Sequence, residues 1–442
     1  MNTPICDFVD KYVKADPVRF HMPGHKGKTF TGAEEKDITE INGADVLSLP
    51  VGIIAGSEEN AARLFGAKKT LYSTEGCTLA IKQMLYLAVM HAKATNRTPY
   101  ILAARNAHKA FVSAACEIGF DFSFIPSGSF IENDLTPETL ERAIALSPVP
   151  PTSVYVTSPD YLGNLLDIRS LKAVCEKHGA LLLTDNAHGA YLRFLPEDIH
   201  PLSCGADMCS DSAHKTLSAL TGAAYLHISN AVYRVIDGFI ENARSLFSST
   251  SPSWLTLFSL DKLNAYLSDG YRGRLHKFIR IADAAKTELK DLGYTLSGSE
   301  PLKITVFSKS FGYTGTKLCE IIRKANIEPE FCDQDLIVFM LTPENDENEL
   351  KRLTAALDVP RRAALSSRPP LPKKQVRALS PREAIFSLCE TVALKDAKNR
   401  IFSSCALACP PAVPIVIAGE VIDENALNAL SYYGVKTVNA VK

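Results

Sequence analysis

Short runs of β-branched and other apolar residues alternate with longer amphipathic segments in this chain, and this alternation constrains the fold most. The apolar runs predict strands at 98–104, 151–159, 180–188, 205–214 and 223–229. The segments 78–94, 107–119 and 167–179 carry apolar residues at helical spacing. Strand, helix, strand order predicts an α/β fold with a mainly parallel sheet wrapped by helices. In such sheets, ligands bind beyond the carboxyl ends of the strands.

The chain is 442 residues long, which exceeds what one hydrophobic core usually organises. After about residue 265, the pattern changes to that of a smaller α/β unit, and the segment "VPRRAALSSRPPLPKKQ" has the composition of a linker. We therefore expect an N-terminal arm, a large ligand-binding domain, a small α/β domain, a linker and a C-terminal domain. Their expected boundaries are 1–40, 41–265, 266–358, 359–380 and 381–442.

Composition narrows the class of partner. Hydrophobic residues make up 46%, charged residues 22%, and the formal net charge is −1, so we expect small-molecule ligands and no nucleic-acid partner. The N-terminus has no apolar core of signal-peptide length and no apolar run could span a bilayer, so we expect a cytoplasmic location without a membrane partner.

The eleven cysteines are expected to be reduced thiols. Cys405 and Cys409 have no further ligands at zinc-finger spacing, so no metal site is expected.

The segment "CSDSAHKTLSALTG" (209–222) places Lys215 directly after His214, among small and hydroxyl residues in a mostly apolar region. Such a lysine has two interpretations. Its ammonium group can reach solvent while its stem packs on apolar surface. Alternatively, desolvation lowers its pKa so that the free amine can form a Schiff base with an aldehyde. Lys215 alone does not decide between them.

A carboxylate follows another apolar run, in "LLLTDNAHGA", where Asp185 ends the run. An unpaired carboxylate is costly to bury there, so Asp185 needs a cationic partner. A protonated pyridine nitrogen is such a partner, and pyridoxal phosphate enzymes require a carboxylate at this position. The alternative for Asp185 alone is a turn or helix-capping residue. Its occurrence together with Lys215 favours the cofactor.

Two further strand ends carry suitable groups. In "LYSTEGCTLAIKQM", Ser73, Thr74, Gly76 and Thr78 precede an amphipathic helix, where hydroxyls and backbone amides can bind a phosphate. An ordinary helix cap has the same pattern. In "AARNAHKAF", His108 lies at a strand-to-helix junction, where its ring could stack on a flat cofactor or serve a structural role.

With these residues in view, the chain resembles the Orn/Lys/Arg decarboxylase family almost end to end. This family consists of pyridoxal phosphate enzymes of fold type I, so the resemblance implies the fold of aspartate aminotransferase. The motifs that carry it are "RFHMPGHKG" (19–27), "DITEINGADVLSLPVGII" (37–54), "ARNAHKAF", "TSPDYLGNLLDI" (157–168), "TDNAHGA", "SAHKTL", "SSTSPSWLTLFSLD" (248–261) and "CPPAVPIVIAGE" (409–420). The implied activity is decarboxylation of arginine, lysine or ornithine to a di- or polyamine precursor.

The resemblance also implies residue roles. Lys215 would hold the cofactor covalently, with His214 beside it, and Asp185 would face the ring nitrogen. His108 and Ala187 would lie on the two faces of the ring, with His188 also in the cofactor shell. The phosphate shell would comprise Ser73, Thr74, Glu75, Gly76 and Ser212. Ser249 and Ser251 lie in a segment that this family places at a dimer interface, so we expect at least a homodimer with shared active sites.

This chain departs from the family pattern at several positions. Asn186 stands where family members often have a glutamate, and Gly222 where they have a glutamine; Cys409 and Ala412 replace a tyrosine and a glycine. These departures concern substrate preference. A cationic substrate end needs a carboxylate, for which Glu420 is the candidate, with a surface or structural role as its alternative. The chain starts at the arm without the N-terminal wing of larger members, which favours a dimer or small oligomer over a decamer.

Two other functions stay open at this point. One is an aminotransferase or aldolase-like enzyme with the same cofactor. The other is a binding protein that kept the fold and lost the reaction.

Overall fold

The computed structural model describes residues 1–131, 134–405 and 413–442. Its N-terminal part confirms the expected alternation of helices and strands. The elements up to residue 228 are α1 (Pro4–Ala15), α2 (Ile53–Phe65), β1 (Lys69–Ser73), α3 (Gly76–Ala94), β2 (Tyr100–Ala104), α4 (Lys109–Ala114), β3 (Asp121–Ile125), α5 (Pro137–Ala145), β4 (Ser153–Thr157), α6 (Ile168–Lys177), β5 (Leu181–Asp185), β6 (Met208–Asp211), α7 (Ala213–Thr216) and β7 (Ala224–Ile228).

Seven of these strands form one sheet in the order β1-β7-β6-β5-β4-β2-β3. Strands β5 and β6 are parallel, with Asp185 opposite Ser210. Strand β7 runs antiparallel to both β1 and β6. Residues 212–223 connect β6 to β7, and the single turn of α7 is their only helix, so the connection lacks the long helix that usually crosses over between parallel strands. The expected mainly parallel α/β fold is confirmed, with β7 as its antiparallel member.

All five predicted strands are shorter in the structure, and the difference matters most for the segment 205–214. There β6 ends at Asp211 and α7 begins at Ala213, with Ser212 as its N-terminal cap residue. The helix turns the chain at the end of β6, so that His214 and Lys215 follow the strand rather than lie in it.

The remaining elements are α8 (Asn230–Ile236), α9 (Ile240–Phe247), α10 (Trp254–Ser268), α11 (Tyr271–Asp291), β8 (Thr295–Ser297), β9 (Lys303–Phe307), α12 (Gly315–Lys324), β10 (Phe331–Cys332), β11 (Leu336–Met340), α13 (Glu347–Leu357), α14 (Pro381–Phe386), β12 (Cys389–Ala393), α15 (Glu424–Tyr432) and β13 (Thr437–Val441). An antiparallel sheet has the order β10-β11-β9-β8, and β12 pairs with β13. The expected small α/β region and C-terminal region thus have strands and helices of their own.

The chain forms two compact units. The first comprises residues 1–100, 152–154 and 168–273, and the second comprises 101–151, 155–167 and 274–442. These two units are defined by contacts in three dimensions, whereas the five predicted segments follow the order of the sequence. The boundaries of the five segments stay a prediction. The first unit contains Asp185 and Lys215.

The N-terminal part of the first unit is held by buried carboxylates. Both oxygens of Asp45 accept backbone N–H groups, from Val46 and Val51 at 3.0 Å and from Gly52 at 2.8 Å, which folds the loop before α2. The Asp261 carboxylate accepts the N–H groups of Ile5 and Cys6 at 3.0 and 2.9 Å in the first turn of α1, which has few intrahelical partners of its own. The arm is therefore packed on the first unit.

Within the described ranges, no helix is long and apolar enough to cross a membrane.

Candidate active site

Lys215 lies in α7, directly beyond the end of β6. Its Nζ is 3.2 Å from Nε2 of His188, a buried side chain three residues after the end of β5. An amine and an imidazole nitrogen at this distance can form a hydrogen bond. The lysine therefore has a specific partner inside the first unit instead of reaching into solvent alone.

Asp185 ends β5, and its side chain is only 2% exposed. One carboxylate oxygen accepts the backbone N–H of Ala187 at 3.1 Å. Because β5 and β6 are parallel neighbours, Asp185 and the segment that carries Lys215 leave the sheet at the same edge. Asp185 and Lys215 thus follow neighbouring strands at the edge where the sequence placed them, and their roles toward a cofactor stay predictions. Ala187 and His188 are buried directly after Asp185.

The predicted phosphate segment lies between β1 and α3. Ser73 Oγ donates to the carbonyl of Gly76 at 2.9 Å and accepts the N–H of Glu75 at 3.2 Å. The N–H of Gly76 donates to the carbonyl of Gly222 at 2.7 Å. These groups thus shape the loop around Thr74. The first-turn N–H groups of α3 after Gly76 remain the natural anion donors, because N–H groups in a first turn have no partner within their own helix.

Gly222 has a conformation that explains why this chain has glycine there. Its φ is +95°, and a Cβ on it would lie 2.7 Å from the carbonyl oxygen of Thr74. Both features exclude an unstrained glutamine, the residue that the family pattern has at this position. The glycine lets two backbone segments approach, and its own carbonyl receives the Gly76 N–H.

His214 lies between these same segments. Its Nδ1 is 2.8 Å from the carbonyl oxygen of Ala223, and a carbonyl only accepts, so Nδ1 carries a proton. Its Cε1 would lie 3.8 Å from a Cβ at Gly76. The ring is thus beside the start of α3, whereas His188 is the ring that contacts Lys215.

Cys77 is a member of this group that the sequence analysis did not single out. Burial raises the pKa of the Cys77 thiol, and the charge of Asp185 acts in the same direction, while a side-chain hydrogen bond with Ser212 and the charge of Lys215 act against them. The Cys77 thiol therefore stays neutral within the electrostatic reach of both Asp185 and Lys215. Its position directly after Gly76 was the available signal.

Ser249 and Ser251 follow α9 and are exposed. The N–H of Ser249 donates to the Glu75 carboxylate at 3.1 Å, and the N–H of Ser251 donates to Ser249 Oγ at 3.1 Å. The structure thus places this segment against Glu75 of the predicted phosphate loop.

Two predicted site residues belong to the second unit. His108 is exposed and caps α4, with its Nδ1 accepting the N–H of Ala110 at 3.2 Å. Glu420 is the second of these residues. It is buried, and its two carboxylate oxygens accept hydrogen bonds from the guanidinium of Arg105 at 2.6 and 2.8 Å. Oε2 of Glu420 also accepts the N–H of Ile417 at 2.9 Å. Glu420 therefore does bind a guanidinium group, that of Arg105, which the sequence analysis missed. Cys409 and Ala412 lie outside the described residues.

The groups in the first unit fit pyridoxal phosphate chemically. This cofactor has an aldehyde that needs an amine, a pyridine nitrogen that needs a carboxylate, and a phosphate that needs N–H donors. Lys215, Asp185 and the first turn of α3 supply one of each. Fold and site together define a pyridoxal phosphate-dependent enzyme of fold type I.

Comparison with known proteins identifies the family. Residues 3–307 match the model of the Orn/Lys/Arg decarboxylase major domain, and residues 369–439 match that of the Orn/Lys/Arg decarboxylase C-terminal domain. The chain belongs to the Orn/Lys/Arg decarboxylase family, as its motifs indicated.

Individual relatives agree with this assignment. An arginine decarboxylase of Bacillus subtilis is 29% identical over 460 residues, covering 96% of this chain and 91% of its own length. An arginine decarboxylase of Halalkalibacterium halodurans is also 29% identical, covering 96% and 92%. Among solved structures, a lysine decarboxylase of Francisella novicida superposes with a TM-score of 0.79 at 16% identity, covering 100% of this chain and 81% of its own. This last likeness confirms the fold.

Proposed function

We propose that this protein removes the α-carboxylate of a basic amino acid as carbon dioxide and releases the corresponding amine. The observation that carries the proposal is the pairing of the Lys215 amine with His188 at the sheet edge where the buried Asp185 ends β5. Bound pyridoxal phosphate would supply an electron sink for the electron pair that carbon dioxide leaves on the α carbon. The residues of the chain have to bind the cofactor in place and move the protons of the reaction.

Asp185 would hold a proton at the ring nitrogen. A carboxylate that is 2% exposed stabilises a nearby cation strongly, because little water screens the pair. The first turn of α3 would bind the phosphate through its N–H groups. The closed loop of Ser73, Gly76 and Gly222 orients that turn.

Lys215 is the group we assign to proton return at the α carbon. Its amine contacts His188 Nε2, which can hold the lysine proton and return it. The Nδ1–H of His214 donates to the Ala223 carbonyl, which leaves Nε2 unprotonated in the neutral ring, so His214 stays the second candidate for this step. The role of His108 on the ring face stays a prediction from the family motif.

The substrate class follows from the family, and the names of the Bacillus and Halalkalibacterium relatives favour arginine. The test is to supply arginine, lysine and ornithine to the purified holoenzyme, and to quantify carbon dioxide and the amine formed. Release of an amine from at least one of them, without keto acid, supports the proposal. Keto acid formation would instead indicate the aminotransferase alternative. A holoenzyme that binds all three and converts none would indicate the binding-protein alternative.

We further propose a homodimer with shared active sites, in the cytoplasm, that supplies polyamine precursors. The segment between α1 and α2 exposes large apolar side chains, as a surface covered by another subunit does. These residues are Val18, Phe20, Met22, Phe30, Val46, Leu49 and Val51. Shared active sites are tested by mixing two variants that are each expected to be inactive, Lys215→Ala and Ser249→Leu/Ser251→Leu. If each site takes residues from both subunits, mixed dimers contain one intact site and activity returns. Mixed dimers that stay inactive would contradict shared sites.

A further inference from the structure

A buried carboxylate that the proposed reaction does not use lies directly behind the two predicted cofactor residues. Asp211 ends β6 and is fully buried. We define the Asp211 cluster as Asp211 with its neighbours Asn186, His200, Cys209 and His227. Oδ1 of Asp211 accepts from Asn186 Nδ2 at 2.8 Å and from the Cys209 thiol at 3.3 Å. Oδ2 is 2.9 Å from His200 Nε2 and 3.4 Å from His227 Nε2.

Three members of the cluster, His200, Cys209 and Asp211, have the composition of a metal site, with ligand atoms within 4.8 Å of one another. The hydrogen bonding of His200 argues against that interpretation. Its Nδ1 accepts the backbone N–H of Leu202 at 3.3 Å, so a neutral ring carries its proton on Nε2, the atom that faces Asp211. A metal-bound imidazole instead donates from its other nitrogen. The cluster is therefore a hydrogen-bonded network around one carboxylate.

The network keeps Asp211 charged. Burial alone would raise the pKa of Asp211, but the two histidines outweigh burial and lower the pKa below its ordinary value. His227 also lies close to the carboxylate, with its Nε2 3.4 Å from Oδ2, while its Nδ1 pairs with the Thr70 hydroxyl at 2.8 Å. A buried carboxylate with this many donors is held in one position.

The position of Asp211 links the two predicted cofactor residues. On one side, its partner Asn186 directly follows Asp185, and the Asn186 N–H donates to the Ser210 carbonyl at 2.9 Å. On the other side, Asp211 directly precedes Ser212, the cap residue of the helix that carries Lys215. The side-chain bond between Asn186 and Asp211 thus closes a bridge immediately beyond the last paired residues of β5 and β6.

We propose that Asp211 is a positioning residue, which through its bond to Asn186 fixes the separation between Asp185 and Lys215; this inference rests on the proposed function. It also explains why Asn186 stands where family members often have a glutamate. A carboxylate at position 186 would meet a second carboxylate with no proton between them, whereas the amide of Asn186 donates. Asn186 and Asp211 are a matched pair of donor and acceptor.

The test uses three variants of the holoenzyme: Asp211→Asn, Asn186→Asp, and the double variant that exchanges the two residues. In Asp211→Asn the side chain at 211 keeps only one acceptor oxygen, so it cannot accept from both Asn186 and His200, and in Asn186→Asp two carboxylates face each other. In the exchange variant an amide at 211 can again donate to a carboxylate at 186. Asp207→Asn is the matched control, because Asp207 joins the opposite end of the same strands through Lys172 Nζ at 2.7 Å and the Leu182 N–H at 2.7 Å.

The readouts are the pyridoxal phosphate dissociation constant of the apoprotein, the pH dependence of the cofactor's visible absorbance, and kcat and KM. Each single variant should weaken cofactor binding and lower kcat by about tenfold or more at similar KM, because small displacements of reacting groups are costly. The absorbance midpoint should shift in both. The exchange variant should recover most of the cofactor affinity. Asp207→Asn should lower only the melting temperature.

Two results would overturn the inference. One is an Asp211→Asn enzyme that differs from Asp207→Asn in none of these readouts. The other is an exchange variant no better than the weaker single variant. A wild-type protein that binds the cofactor but decarboxylates no basic amino acid would refute the proposed function alone, since cofactor affinity and absorbance still decide the role of Asp211.

Discussion

The Nζ atom of Lys215 lies 3.2 Å from Nε2 of His188, although the two residues are 27 positions apart in the sequence. Adjacent parallel strands bring them together, since β5 ends three residues before His188 and β6 ends four residues before Lys215. The proposed catalytic lysine therefore contacts a buried imidazole at the same sheet edge.

Replacing His188 with leucine should slow the reaction without preventing cofactor binding. The variant loses the group that exchanges a proton with Lys215, so we expect kcat to fall by about 10- to 100-fold at similar KM. In a plot of kcat against pH, the rise or fall that reports the ionisation of this pair should also disappear or move to another pH. The control is His178→Leu, beyond the end of α6 in the same unit. Equal pH profiles for His188→Leu and wild type would contradict this role.

Gly222→Ala should weaken cofactor binding. At φ +95°, any other residue is strained, by about 1–3 kcal/mol. Its Cβ would also push against the Thr74 carbonyl and disturb the bond from Gly76. The measurement is the pyridoxal phosphate dissociation constant. Gly434→Ala serves as the control, since its φ is +77° but no atom lies within 4 Å of the added Cβ. If both variants bind the cofactor like wild type, the glycine does not shape the phosphate loop.

Folding stability should fall as the pH drops below about 6.5, partly through His227. Burial lowers the pKa of His227 in the folded protein, even though its contact with Asp211 acts in the opposite direction. Between the folded and unfolded pKa values, the unfolded chain binds a proton that the folded chain does not, so acid favours unfolding. Denaturant melts at several pH values measure this. The His227→Gln variant should show a shallower decline, and an unchanged slope would contradict the assignment.

Glu420→Gln should destabilise the protein more than it impairs substrate binding. Both oxygens of Glu420 are bound to Arg105, and breaking such a buried pair costs roughly 3–5 kcal/mol. The double variant Arg105→Leu/Glu420→Leu should lose less stability, because no charge is left unpaired. We expect KM to change by less than about twofold, given that the carboxylate already has a guanidinium partner. A large rise in KM at unchanged stability would instead assign Glu420 to the substrate, as the sequence suggested.

Local patterns predicted much of this molecule. Apolar runs located five strands of the large sheet, because a buried strand needs consecutive apolar residues wherever it lies. The motifs around Asp185 and Lys215 predicted their common edge, since parallel neighbouring strands end on the same side. The short helix α7 was missed, because Ser212 and Ala213 fit the end of a strand as well as the start of a helix.

Contacts between residues far apart in the sequence could not be predicted from local patterns. Arg105 and Glu420 are 315 residues apart, no local pattern pointed to Arg105, and Glu420 was expected to face a substrate instead. The Asp211 cluster joins side chains from the ends of three strands and a loop, and its members acquire their roles only from register, such as Cys209 opposite His227. The φ of Gly222 depends on its approach to Thr74, which no local signal encodes.

The most direct test of the central claim is the Lys215→Ala variant, incubated with pyridoxal phosphate and each basic amino acid. The lost group is chemical rather than a packing element, so we predict a wild-type melting temperature, no covalently bound cofactor by absorbance or mass spectrometry, and no carbon dioxide release. Lys215→Arg should behave in the same way, which separates the need for an amine from the need for a charge. Turnover retained in Lys215→Ala would contradict the account.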